Sequence, residues 1–140
     1  MARIHQVNRD LAKFAKLIDV GLGLVVEKAT HDIHGKIVKR TPVDTGRARA
    51  SWGVGVGAPH KGPPPAPGKE TYGAPPAPPT NLTGDAPVYI TSNLVYIEAL
   101  ENGHSGQAPN GMVKIAVAEV VAEIDAVMGN IAAEAERKVA

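Results

Sequence analysis

Proline is concentrated in one segment of this chain, and that segment limits what the rest can fold into. Ten of the twelve prolines fall between Pro59 and Pro87, mixed with glycine, alanine, threonine and lysine. Such a composition buries too little apolar surface to form a packed core. Residues 58–86 are therefore expected to form an extended, polyproline-like arm or a long hairpin loop, and the core must come from the segments on either side.

The segment before the arm begins with a helical pattern from Gln6 to Lys39. We expect Asn8 to be its N-cap and Thr41-Pro42 to end it, because a residue that precedes proline is pushed out of the α region. Gly21 and Gly23 indicate a bend, a close approach of another backbone, or simply two glycines whose lower helix propensity is tolerated. The residues that recur at steps of three or four are Val7, Leu11, Phe14, Ile18, Gly21, Val25, Ala29, Ile33 and Ile37, all apolar apart from the glycine.

Two short segments flanking the arm have the alternation typical of strands. From Ala48 to Val56, apolar residues alternate with polar residues and glycines, and these glycines leave room for a neighbouring backbone or side chain. The second strand is expected from Pro87 to Thr91, with Val88 and Ile90 on one face.

The remainder of the chain predicts two more helices. Ser92-Asn93 can cap a short helix that Asn102-Gly103 ends, and residues 103–111 form a polar loop. The last segment, from Met112 to Val139, has a narrow apolar seam, which we expect to be buried against the protein's own sheet, although a coiled-coil partner could also use it. Its residues are Val113, Val117, Val120, Ile124, Val127 and Ile131.

Composition narrows the class of protein. A net charge of +1 argues against a free-standing nucleic-acid binder, and the absence of cysteine removes disulfides and thiolate chemistry. No apolar run approaches the roughly 20 residues that a membrane span needs. The N-terminus lacks a signal-peptide pattern, so we expect a protein made in the cytoplasm. With only 4% aromatic residues, the core should be thin, and neighbouring subunits could supply part of the stability.

Catalytic and metal-binding patterns are weak. His31 and His34 lie at i and i+3 on the first helix and could share a metal ion, but no third ligand follows at a suitable spacing. The glycines of residues 53–57 lack the Lys-Ser/Thr of a phosphate-binding P-loop. The sequence thus predicts no enzyme, no catalytic or cofactor-binding residues, and no metal.

The most informative motif is the string Thr-Pro-Val-Asp-Thr-Gly-Arg-Ala-Arg-Ala-Ser-Trp at residues 41–52. Pro42 fixes the exit from the helix, and Gly46 supplies a permissive backbone at the corner. Arg47 and Arg49 are then expected on the polar face of the first strand, while Trp52 anchors its apolar face.

This string resembles the hallmark of the tail-completion family of long-tailed bacteriophages, related to minor tail protein Z of phage lambda. A looser second signature is similar to residues 88–104, with Tyr96, Glu98, Glu101 and Gly103. The resemblance covers roughly residues 11–57 and 87–139. The arm is longer than in the family, and His104-Ser105-Gly106 stands where the family usually has a threonine and a different loop.

The resemblance implies an α+β fold: a long N-terminal helix, a small antiparallel sheet with a long Pro/Gly-rich inter-strand arm, and a C-terminal helix, in a single domain of residues 1–140. It implies a virion protein of the tail or neck, assembled in the host cytoplasm as a homo-oligomeric ring, with six subunits expected. The expected partners are the tail tube protein, the head connector or stopper proteins, and double-stranded DNA that passes without sequence readout; no membrane is expected. Ion pairs within or between subunits that fix the ring are expected from Asp44, Arg47, Arg49, Glu98 and Glu101; the alternative is that Asp44 and Arg47 only stabilise their own turn.

Three other interpretations stay open at this stage. The chain could be another connector, stopper or minor tail component of the virion. It could be an interaction module whose Pro-rich arm binds an aromatic groove. A small metal-dependent enzyme that uses His31 and His34 is the third.

Overall fold

A computed structural model of the chain describes the backbone of residues 2–139 and the side chains of residues 21–128. The architecture is α+β, as predicted, with a long helix at the N-terminal side, a two-stranded sheet and a long helix at the C-terminal side. In chain order the elements are α1 (Ala2–Arg40), α2 (Arg47–Ala50), β1 (Trp52–Val56), β2 (Val88–Ser92), α3 (Ile97–Glu101) and α4 (Val113–Val139).

Helix α1 is longer than predicted at one end and ends where predicted at the other. Because its helical backbone begins at Ala2, Asn8 lies within the helix, and its assignment as N-cap is wrong. At the other end α1 stops at Arg40, directly before Thr41-Pro42. The amide of Thr41 still donates to the carbonyl of Ile37 at 2.9 Å, which closes the last turn.

The sheet consists of β1 and β2 in antiparallel register, with Trp52 opposite Ser92 and Val54 opposite Ile90. One face therefore carries Trp52, Val54 and Ile90, and packs on the helices. The other face carries the two glycines of β1, and a Cβ at Gly53 would lie 2.8 Å from the ring of His60. This confirms that the glycines make room for a neighbour, here the start of the arm.

The first strand begins later than its alternation predicted. Arg47 to Ala50 form a single helical turn, α2, so the prediction that Arg47 and Arg49 project from a strand is wrong. Gly46 opens this turn in the left-handed region at φ 91°, and its carbonyl accepts from the amide of Ala50 at 2.9 Å. The short helix after β2 is also shifted, since α3 begins at Ile97 without a side-chain cap from Ser92 or Asn93.

The core is small and lies where α1, α4 and the sheet meet. Ile37, Met112 and Val120 are almost fully buried, and Trp52 is 5% exposed. Ala108 is also buried, although it belongs to the segment predicted as a polar loop. The buried cluster comprises Ile37, Trp52, Ala108, Met112 and Ala116, with Ile33, Val38, Ile90, Ile97, Leu100 and Val113 packed against it.

Helix α4 runs antiparallel to α1 and is tied to it by ion pairs. Lys36 lies 3.0 Å from Glu119 and 3.5 Å from Glu123, and Arg40 pairs with the other oxygen of Glu119. The hydrogen bond from Lys36 is the main reason that the pKa of Glu119 lies below its ordinary value. Within residues 2–139, no helix combines the length and hydrophobicity of a membrane span.

Candidate interface site at the helix–sheet corner

The string of residues 41–52 forms a corner that fastens the end of α1 to the start of β1. Trp52 is only 5% exposed, and its Nε1 donates to Thr41 Oγ1 at 2.9 Å. Thr41 is fully buried and donates in turn to the carbonyl of Ile37 at 2.7 Å. The two side chains thus satisfy each other's hydrogen bonds inside the core, which a buried hydroxyl and indole require.

Arg49 caps the C-terminal end of α1. Its Nε donates to the carbonyl of Thr41 at 2.8 Å, and its Nη2 donates to the carbonyl of Lys39 at 2.9 Å. Carbonyls at a helix C-terminus lack partners within the helix and carry partial negative charge, so a guanidinium is a suitable cap. This geometry requires Arg49 to reach backwards, which the helical turn α2 allows.

His34 and His31 each contact a carbonyl rather than a common centre. His34 is buried, and its Nε2 lies 3.3 Å from the carbonyl of Trp52, to which it donates when protonated at that nitrogen. Burial lowers the pKa of His34, against the opposing effect of this hydrogen bond. His31 Nε2 lies 3.2 Å from the carbonyl of Pro79 in the arm. Among the described side chains, no three histidine, aspartate or glutamate residues are grouped as a metal site would need.

Glu101 caps the start of α4, a role that the sequence analysis missed. Its carboxylate accepts hydrogen bonds from the amides of Met112 and Val113, both at 2.8 Å, and of Lys114 at 3.1 Å. Partial burial would raise the pKa of Glu101, but these three amides together hold it below its ordinary value of 4.5. The signal in the sequence was the lack of any acidic residue in the first turn of α4, whose free amides need an acceptor.

Arg47 holds the arm against the corner. Its Nε donates to the carbonyl of Pro65 at 2.9 Å, and the amide of Tyr72 donates to the carbonyl of Thr45 at 3.0 Å. A Cβ at Gly46 would lie 3.2 Å from the carbonyl oxygen of Tyr72, so the arm passes close to the turn. Arg47 therefore acts between two segments of the same chain.

The far end of the arm is docked on α1. Leu82 is 8% exposed and lies over Gly23, where a Cβ would come within 2.8 Å of the Leu82 carbonyl oxygen. Glu27 accepts from the amide of Asn81 at 3.2 Å, next to this contact. Gly23 thus serves the close backbone approach that was one of the three readings of the glycine pair, whereas nothing lies within 4 Å of a Cβ at Gly21.

Asp44 and Glu98 are the two predicted interface residues that remain on the surface. Both are exposed, and neither makes a side-chain hydrogen bond among the described residues. Within the described side chains, no ion pair involves any of the five predicted residues. The pairs that are present join Lys28 to Asp32, Lys36 to Glu119 and Glu123, and Arg40 to Glu119.

Apolar side chains lie exposed close to these carboxylates. Val43 and Tyr96 are each more than a third exposed, and Val95 is 97% exposed. Val43 and Tyr96 line a surface cavity of about 290 Å³ together with Asp44, Arg47 and Leu100. An exposed apolar patch with a charged rim is typical of a protein–protein contact. We call Val43, Asp44, Val95, Tyr96 and Glu98 the corner patch.

A protein-family model matches residues 5–103, which include most of α1, the corner, the arm, both strands and α3. Its description is "Bacteriophage HK97-gp10, putative tail-component". The chain belongs to this family. The family is one of structural phage tail components, so the protein is a tail component of a virion. A search of curated proteins and a search of solved structures found no match.

Proposed function

We propose that this chain is a ring-forming subunit of the phage neck that completes or terminates the tail and joins it to the head. The family supports a tail component, and the corner string supports the finer relation to minor tail protein Z of phage lambda. In this role the protein acts mechanically and has no enzymatic activity. The ring, with six copies expected, leaves a channel for DNA.

The observation that carries this proposal is the open edge of the sheet at β2. The amide of Gly57 donates to the carbonyl of Pro87 at 2.8 Å, which makes these two residues a hydrogen-bonded pair. Since such pairs alternate along an antiparallel ladder, the amides and carbonyls of Val88 and Ile90 point away from β1. Among the described residues no backbone hydrogen bond outside the ladder engages either of them.

An open edge of this kind is a template for another strand. A two-stranded sheet is marginal on its own, and pairing across subunits would extend it. Val95, Tyr96 and Glu98 of the corner patch follow β2 closely in the chain, and the patch offers apolar surface and two carboxylates for a contact with a neighbouring subunit. In this proposal, one side of the ring binds the tail tube protein and the other side binds the head connector or stopper. The DNA duplex would pass through the channel with backbone contacts at most.

The test replaces single residues of β2 with proline, which lacks the amide hydrogen. Val88→Pro removes a donor from the outer edge and leaves the hydrogen bonds to β1 in place. We expect a folded subunit with near-normal thermal stability that no longer assembles on tails. Tyr89→Pro is the matched control, because it removes a donor directed at β1 and should instead destabilise the sheet.

Assembly is measured by complementation of a phage that lacks the protein, followed by imaging of the particles. If the Val88→Pro subunit capped tails normally, the edge of the sheet at β2 would not be part of the subunit interface. Absence of the chain from purified virions would overturn the proposed function altogether. Its position along the neck in the images separates a tail-completion ring from a connector or stopper.

The arm's contacts count against the alternative of a polyproline ligand. Arg47, Thr45, Glu27 and His31 all bind the arm within the same chain. A ligand for an aromatic groove would have to leave these contacts. Deletion of residues 61–85 distinguishes the two roles, because loss of binding to one cellular partner with normal particles would favour the ligand.

A further inference from the structure

Helix α4 carries an exposed apolar row in addition to the row that packs inside. Val117, Val121 and Met128 are 37%, 48% and 52% exposed, and Ile124 lies between them half-buried. Their steps of four, three and four place them along one face of the helix. The inner row is separate, since Ala116 and Val120 are buried against the rest of the protein.

This exposed row borders a groove between α4 and α1. The groove is a narrow cavity of about 90 Å³ with an almost wholly apolar surface. Charged side chains of both signs, Lys28, Asp32 and Glu123, stand at its rim. The apolar lining residues are Val25, Ala29, Val120, Ile124, Val127 and Met128.

No described element of the chain covers this groove. Helices α1 and α4 run without a break through Ala2–Arg40 and Val113–Val139, so neither folds back over it. The arm lies on a different side of α1, at Gly23 and Glu27. Among the described residues the groove is therefore open to contact with another molecule.

We propose that a second copy of this chain fills the groove with the exposed row of its own α4. Apolar residues at alternating steps of four and three are the pattern by which one helix packs into the groove of others. One pair of opposite charges is available for this contact. Asp125 is exposed beside the row, four residues after Val121, and Lys28 at the rim has a side chain that is 75% exposed.

Lys28 is free to change partners at little cost. Its present partner, Asp32, lies 2.9 Å away on the same helix, and such exposed pairs contribute little to stability. The proposed contact between the exposed row of α4 and the groove of a second copy rests on the proposed function in one respect only. It would supply one of the surfaces by which identical subunits of the ring meet.

The test places a charge in the exposed row. Val121→Glu should weaken self-association of the full chain by about tenfold or more, because the contact would have to bury an unpaired carboxylate. Ala122→Glu adds the same charge one residue away, where the side chain points away from the row, and should associate like the natural chain. Self-association is measured by sedimentation or light scattering over a range of concentrations, with circular dichroism to verify folding.

A charge-reversal cycle tests the partner directly. Lys28→Glu alone and Asp125→Lys alone should each weaken association, and the variant with both changes should recover it. Equal effects of Val121→Glu and Ala122→Glu, a natural chain that stays monomeric at all concentrations, or no recovery in the double variant would each overturn the proposal.

These outcomes are separable from the fate of the proposed function. Association that depends on Val121 in a chain absent from virions would sustain the helix contact and refute the neck role. A chain present at the neck whose tails form normally with Val121→Glu would sustain the neck role and refute the helix contact.

Discussion

Trp52 is the residue on which the corner depends most. Its ring belongs to the buried cluster, and its Nε1 supplies the hydrogen bond to the buried hydroxyl of Thr41. Trp52→Ala should therefore lower the free energy of unfolding by about 3–5 kcal/mol, from lost apolar burial and the cavity left behind. Urea unfolding followed by circular dichroism measures this loss.

The hydrogen bond can be separated from the ring by a second substitution. Trp52→Phe keeps most of the apolar surface but leaves Thr41 Oγ1 without its donor, so we expect a smaller loss of about 1–3 kcal/mol. If the Trp52→Ala variant unfolded at nearly the same urea concentration as the natural chain, the corner would contribute little to the stability of the protein.

Single residues were predicted from the sequence where one local rule decides them. Pro42 forces the end of α1, and Trp52, as a lone large aromatic on an apolar face, had to be buried. Glu101 could not be placed in the same way. Its partners are the amides of residues 112–114, and the sequence does not show that the loop between them folds back.

At the scale of elements, the glycine pair of α1 gives a matched experiment on the docking of the arm. Gly23→Ala places a Cβ within 2.8 Å of the Leu82 carbonyl oxygen, so the end of the arm must move away. Gly21→Ala meets nothing within 4 Å and should stabilise the helix by about 1 kcal/mol through its higher helix propensity. Hydrogen exchange and limited proteolysis of residues 79–85 should increase in the first variant only.

The same experiment has a clear contrary outcome. If Gly23→Ala protects the arm as well as the natural chain does, or is as stabilising as Gly21→Ala, then the contact between Leu82 and α1 does not hold the arm. A similar rise in thermal stability in both variants would therefore contradict the docking of the arm at Gly23.

The sequence predicted which segments form helices and strands better than it predicted where each one begins and ends. The period of two correctly indicated β1 and β2, but it extended the first strand over Arg47–Ala50, which are helical. Four residues that alternate arginine and alanine fit either structure, because alanine is too small to mark a buried face. The choice was made by contacts distant in sequence, since Arg49 reaches the carbonyls that end α1.

At the scale of the whole molecule, the fold class followed from the order of elements, whereas the packing of the arm and of α4 did not. The arm was expected to be extended or to form a long hairpin loop. It contains no helix or strand, and its docking depends on a contact between Leu82 and Gly23 that no periodicity indicates. The apolar row of α4 was expected to face the sheet. Helix α4 packs mainly along α1 and meets the sheet only near Ala116, which joins the cluster around Trp52, so Val117 and Val127 of the predicted seam remain exposed.

The structure divides the five predicted interface residues into two groups that a pair of substitutions can tell apart. Arg49 satisfies carbonyls inside the subunit, so Arg49→Glu should lower the free energy of unfolding by about 1–3 kcal/mol before any assembly step. Asp44 is exposed and makes no described side-chain contact, so Asp44→Lys should change stability by no more than about 0.5 kcal/mol.

Asp44→Lys should nevertheless prevent ring formation on tails if the corner patch meets a neighbouring subunit, because it reverses a charge at that contact. Thermal unfolding of the purified subunit and imaging of complemented particles measure the two effects separately. A stable Asp44→Lys subunit that still caps tails would exclude Asp44 from the interface. That result would leave the open edge of β2 as the proposed contact. If the Val88→Pro subunit then failed to assemble on tails, backbone pairing at the sheet edge would hold neighbouring subunits together without the charges of the corner patch.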